Sequence, residues 1–140
     1  MNRIKLLSAL IFTMLLSACS SDSDDNSVPS PTLAGQWNLV NISGGIAGID
    51  QDYSAGTIIW DFDATTNTIE VTNNTTDSSQ ESMLPTGSYP YSVEANTTMP
   101  ELCDLNMIID NINFGCFDLT QNQLMISQVE TDGFIITLAR

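Results

Sequence analysis

From Gly35 onward, apolar and polar residues alternate in short runs, and Asn, Asp, Gly and Ser separate the runs. A period of two residues is that of a strand with one buried face. It predicts eight strands, over residues 36–42, 57–63, 68–73, 88–96, 102–109, 112–119, 123–127 and 134–139. No stretch repeats apolar residues at helical spacing over several turns, so the fold class is all-β. The links 64–67, 110–111, 120–122 and 131–133 are short, and their Asn, Asp and Gly residues tolerate the left-handed backbone or cap a turn with their own side chains. Consecutive hairpins follow, and the expected architecture is an eight-stranded antiparallel up-and-down β-barrel. Two links are longer: 43–56, rich in Gly and Ala, and 74–87, polar and containing Pro85. In a barrel both would lie at the rims, where binding loops sit.

Alternation also assigns faces. Expected inward are Trp37, Leu39, Ile58, Trp60, Phe62, Ile69 and Val71, then Tyr89, Tyr91, Val93, Leu105, Met107 and Ile109, and finally Ile112, Phe114, Leu124, Ile126, Phe134, Ile136 and Leu138. Asn38, Asp61, Asp63, Glu70, Asn106 and Gln123 fall on the other face. Closing the sheet buries the apolar face and removes the edges. Side chains this bulky should largely fill an eight-stranded barrel, leaving any pocket shallow and at the mouth.

The N-terminal residues do not share this pattern. Arg3 and Lys5 precede an apolar run over 6–16, and Ser17 and Ala18 follow it. The run is too short to span a bilayer and has the flanks of a secretory signal, so residues 1–18 are read as a signal peptide. Leu16-Ser17-Ala18-Cys19 resembles the bacterial lipobox, in which the Cys is acylated and becomes the new N-terminus. Lipidation is therefore expected at Cys19; an ordinary signal followed by a free Cys is the other reading. Each buried acyl CH₂ contributes about 0.8 kcal/mol, so several chains on one residue would anchor the protein stably. Residues 19–32 are polar and acidic with almost no large hydrophobe, which predicts a disordered tether. Ser20 resembles an outer-membrane sorting signal. The Ser-Asp cluster at 21–25 resembles the acidic export signal that places Bacteroidota lipoproteins on the cell surface, and a solvated spacer explains it equally well.

Charge narrows the chemistry. The chain has 17 acidic residues, three basic ones and no His, and without residues 1–18 its only basic side chain is Arg140. Nucleic acid is excluded as a partner, because phosphate binding needs a basic footprint. Without His or Lys the mature chain cannot build a Ser-His-Asp triad, a Cys-His pair, a Schiff base or a His-ligated metal site. Carboxylate chemistry remains, as a glycosidase-like pair or a hard-cation site. Residues 33–140 have the length of one domain.

Leu33-Ala34-Gly35-Gln36-Trp37 resembles the Gly-x-Trp motif that opens lipocalins and related calycin barrels, and it falls on the first predicted strand. More narrowly, residues 33–140 resemble the lipocalin-like domains of Bacteroidota lipoproteins. They share a leading Gly-x-Trp-x-Leu-Val, a middle Leu-Pro-x-Gly-x-Tyr, and a terminal Asp-Gly before a strand that ends in Arg. Small META-like barrels are a neighbouring alternative. The resemblance implies a barrel in which Arg140 packs across the Trp37 ring, both in structural roles.

Tyr53, Trp60, Tyr89 and Tyr91, with Met83 and Met99 in loops, are the candidate lining for a flat or apolar ligand at the mouth. Packing in the core is the simpler account of Trp60, Tyr89 and Tyr91; Tyr53 has no packing role visible in the sequence. Asp50, Asp52, Asp61, Asp63 and Asn67 offer oxygens, but the second group lacks the Gly and Glu of a calcium loop and reads more simply as a strand's solvent face and its turn. No metal, cofactor or catalytic residue is assigned. Cys103 and Cys116 share a face if their strands form a hairpin, which suits a disulfide in an exported protein; two buried thiols are the alternative. The expectation is a non-enzymatic outer-membrane lipoprotein that binds a small apolar or aromatic molecule. It would touch the membrane only through its anchor. The alternative is a structural or protein-interaction module with a filled core.

Overall fold

The computed structural model describes residues 30–128 and 132–140, so Cys19, the signal segment and the tether as far as residue 29 lie outside the described residues. Nine strands are present: β1 (Gly35–Gly44), β2 (Ile49–Asp52), β3 (Ile58–Asp63), β4 (Thr68–Asn73), β5 (Gly87–Ala95), β6 (Leu105–Ile109), β7 (Ile112–Leu119), β8 (Gln123–Ser127) and β9 (Phe134–Ala139). No helix occurs among the described residues. Sheet order is β2-β1-β3-β4-β5-β6-β7-β8-β9, and β1 also pairs with β9. Leaving β2 aside, eight strands close an antiparallel ring in up-and-down order. Successive links therefore alternate between the end where the chain enters β1, called here the entry end, and the far end.

The predicted link 43–56 needs correcting, because it contains a strand, β2, and the last two residues of β1. β2 pairs with the second half of β1, Asn41 opposite Asp52 and Gly44 opposite Ile49, while β3 pairs with the first half. β2 and β3 are thus one hairpin arm interrupted by residues 53–57, and only residues 45–48 form the turn. Strict alternation hides this arm, because Ile49-Asp50-Gln51-Asp52 offers a single hydrophobe.

Two bulges reset the face assignment. Leu39 pairs with Leu138 and Asn41 with Thr137, so Val40 is an extra residue on β1. Its carbonyl accepts the Tyr53 N–H at 2.9 Å, which ties the bulge to the segment that follows β2. The shift turns Ile42 inward to full burial, a gain of about 1.5–3 kcal/mol for a side chain of this size. On β7, Gly115 pairs with Met107 and Asn113 with Ile108, so Phe114 is extra. Beyond it Phe117 and Leu119 pack against the core, and Cys116 falls on the outer face.

Three residues expected inside are exposed. Val93 (40%) and Leu105 (42%) have inward parity, but β4 pairs with β5 only as far as Pro90. Past Tyr91, whose N–H still reaches the Asn67 carbonyl at 2.9 Å, β5 has only β6 beside it, so this ladder runs past the facing wall. Ile112 is 60% exposed because it opens β7 directly after the Asp110-Asn111 turn, where both residues have positive φ. Asn106, expected outside, is 9% exposed beneath the loop before β6. That loop also begins β6 three residues later than alternation predicts.

Core packing fills the ring. Trp37 and Trp60 face each other across β1 and β3, both fully buried. Trp60 meets Phe62 and Phe114 with ring centroids 6.4 Å away in each case, and Phe62 meets the edge of Tyr91 at 5.2 Å. Among the described residues the Trp60 indole N–H is the one buried side-chain polar group without a hydrogen-bond partner.

Candidate functional site

The entry end is closed by a cluster around Trp37. Gly35-Gln36-Trp37 opens β1, and the Trp37 indole N–H donates back to the Leu33 carbonyl at 2.8 Å. The Arg140 guanidinium lies 4.1 Å from the Trp37 ring centroid. Its Nε donates to the Gln121 carbonyl at 2.8 Å, Nη1 to Ala34 at 3.1 Å and Nη2 to Thr32 at 2.7 Å. One side chain thus ties the segment before β1 to the β7–β8 turn across an aromatic face. Stacking of this kind contributes about 0.5–2 kcal/mol according to desolvation. Arg140→Ala should lower unfolding free energy by about 1–2 kcal/mol in urea titration. Arg140→Lys should recover less than half of that, because an ammonium cannot stack and reach three carbonyls in one plane. A Lys variant as stable as the parent would show that charge alone matters.

The six aromatic and Met candidates do not share one rim. Met83 lies in the link from β4 to β5 and Met99 in the link from β5 to β6, so they sit at opposite ends of the barrel. Trp60 is interior. Tyr91 packs on Phe62 and the Tyr89 hydroxyl donates to the Pro85 carbonyl at 2.9 Å. Tyr53, expected in a loose loop, is only 7% exposed. Its hydroxyl donates to the Glu81 carbonyl, with Gln51 Oε1 3.0 Å away, and Gln51 Oε1 also accepts the Glu81 N–H at 2.9 Å. Burial and then the Glu81 charge push the Tyr53 hydroxyl above its ordinary pKa. Tyr53 fastens the link over 74–86, whose Leu84 is buried and whose Met83 packs on the core. This link covers part of the far end.

Beside it opens a pocket of about 370 Å³. Gly44, Gly45, Ile46, Ala47 and Ile49 of the β1–β2 hairpin line it, with Phe134 of β9 and the acidic residues Glu81 and Asp132. Gly45 has φ +70°, and a Cβ there would stand 2.8 Å from Phe134 Cε1, so the ring lies on bare backbone. Ile46, at the hairpin tip, is 89% exposed. None of these residues was a sequence candidate. The Gly44-Gly45 pair beside an Ile was the available signal, but it reads as an ordinary turn until Phe134 and Glu81 are brought beside it.

The remaining polar candidates serve turns and loops. Asp63 accepts the Thr65 and Thr66 N–H groups at 2.7 and 3.3 Å, and these bonds, with the Thr66 hydroxyl, hold its carboxyl below the usual range. Asp61 accepts from Gln36 Nε2 at 3.2 Å, and Asp50 and Asp52 both accept from Asn41 Nδ2 at 2.9 Å. No group of three potential metal ligands gathers among the described residues. Cys103 and Cys116 are joined, with Cα atoms 5.9 Å apart. Cys103 stands in the loop before β6, and Cys116 pairs with Asn106, so the two are not ladder partners. Asn96, 5% exposed, organises this loop through Met99, accepting its N–H at 3.0 Å and donating to its carbonyl at 2.9 Å.

Compared with family models, with curated proteins and with solved structures, the chain has no match.

Proposed function

We propose that this chain is a lipoprotein of the bacterial outer membrane, anchored through Cys19 and facing the cell exterior. In this reading its lipocalin-like barrel, of the kind carried by Bacteroidota lipoproteins, binds a small apolar or aromatic molecule without transforming it. The observation that carries the binding reading is the far-end pocket, mainly apolar, lined by an exposed Ile and a half-buried Phe, and large enough for a compact ligand. The Gly-x-Trp at the start of β1 and the Arg140 stack support the lipocalin-like assignment. The filled ring interior favours a second reading, a structural or interaction module with no ligand.

Native mass spectrometry of the protein purified from its own host separates the two readings. A reproducible added mass, removed by partial denaturation and distinct from the acyl chains, is expected for a binder. Only the lipidated mass, across growth conditions, would establish the module.

A further inference from the structure

We infer that the far-end pocket selects an amphipathic cation, an amine or guanidinium joined to an aromatic or short aliphatic group. This rests on the binding reading above and adds the sign of the ligand's charge. The floor and walls supply the apolar half of the complement. Phe134 lies against the Gly45 backbone, and Ile46, Ala47 and Ile49 stand around it. Ile46 is held out by the turn in which Gly48 N–H donates to the Gly45 carbonyl at 2.9 Å, so covering it with a ligand would remove apolar surface from water.

Glu81 and Asp132 line the same pocket and carry its two negative charges, and Glu81 Oε1 also accepts the Ser82 and Met83 N–H groups at 3.2 and 3.3 Å. Among the described residues Arg140 is the only cationic side chain, and it donates to three backbone carbonyls at the entry end, far from both carboxylates. The pair is therefore not neutralised by any described side chain. The whole chain, at a formal net charge of −14, adds an attractive field for cations and repels anions. A cation over the Phe134 face gains further from the ring quadrupole. An anion of the same shape meets two like charges, and a neutral analogue gains burial alone.

The test uses three probes of one shape: phenethylamine, 2-phenylethanol and phenylacetate. Each is titrated into the full chain carrying ¹³C-labelled isoleucine methyl groups, and the Ile46 and Ile49 signals are followed by NMR. Phenethylamine should saturate these shifts with a Kd about five- to tenfold below that of 2-phenylethanol, as expected for partly exposed ion pairs, and phenylacetate should bind weakest. Glu81→Gln with Asp132→Asn, which keeps acceptor oxygens in place, should bring the Kd of phenethylamine to that of 2-phenylethanol measured in the same variant. Equal affinities for all three probes would overturn the charge selection and leave the binding reading standing. Shifts confined to isoleucines away from the hairpin would overturn the location. No shift with any probe up to 10-fold above the millimolar range, about 10 mM, would remove the inference and the pocket-binding reading together.

Discussion

Gly115→Ala should destabilise the barrel by about 3–5 kcal/mol, enough to leave much of the protein unfolded at ambient temperature. Gly115 follows the Phe114 bulge with φ +103°, a conformation that side-chain-bearing residues rarely adopt. A Cβ there would overlap the Ser127 carbonyl oxygen and stand 2.8 Å from Gln128 Cα. These are backbone atoms of the neighbouring strand, which cannot rotate aside. Relief requires parting β7 from β8 where Cys116 pairs with Ser127. Gly48→Ala provides the control, since φ there is also positive at +61° but nothing lies within 4 Å. That variant should lose only about 1 kcal/mol. Denaturant midpoints within error of each other for the two variants would show that the β7–β8 approach is looser than described.

Removing the bridge by Cys103→Ser with Cys116→Ser should cost about 3 kcal/mol. The linked residues are 13 apart in sequence, and closing a loop of that order restricts the unfolded chain by about this much. For a domain of this length the melting temperature should fall by about 12–20 °C. Wild-type protein in excess reductant should melt with the double variant. If reduced and oxidised protein melt together, the loop around Asn96 holds itself and the bridge adds nothing.

How far the sequence reveals the fold depends on where its alternation is interrupted. Six of the strands that form the ring, such as β3 and β4 with their facing Trp60 and Val71, read directly from the period of two. Val40 and Phe114 break that period without any residue type that announces a bulge. For that reason Ile42, Phe117 and Leu119 could not be placed inside from pattern alone. Asp50 and Asp52 obscured β2, because a strand that flanks the ring with both faces partly wet needs no apolar stripe. The pocket was least legible. Its parts come from the β1–β2 turn, the β4–β5 link and the start of β9, and nothing local marks Glu81 and Phe134 as neighbours. Arg140 is a different case: its solitude in the composition directs attention to it, and strand parity directs it to Trp37.

The clasp at the entry end also gives the molecule a polarity. Thr32 and Ala34 are fixed to Arg140, so the chain joins the barrel beneath Trp37, while the pocket begins at Gly44, where β1 finishes. Ten strand residues separate the two, about 30 Å at the usual rise. On the proposed lipid anchor, the tether would join one end of the barrel and the pocket would open from the other. The chain that leads to the proposed anchor would then leave the mouth of the pocket unobstructed.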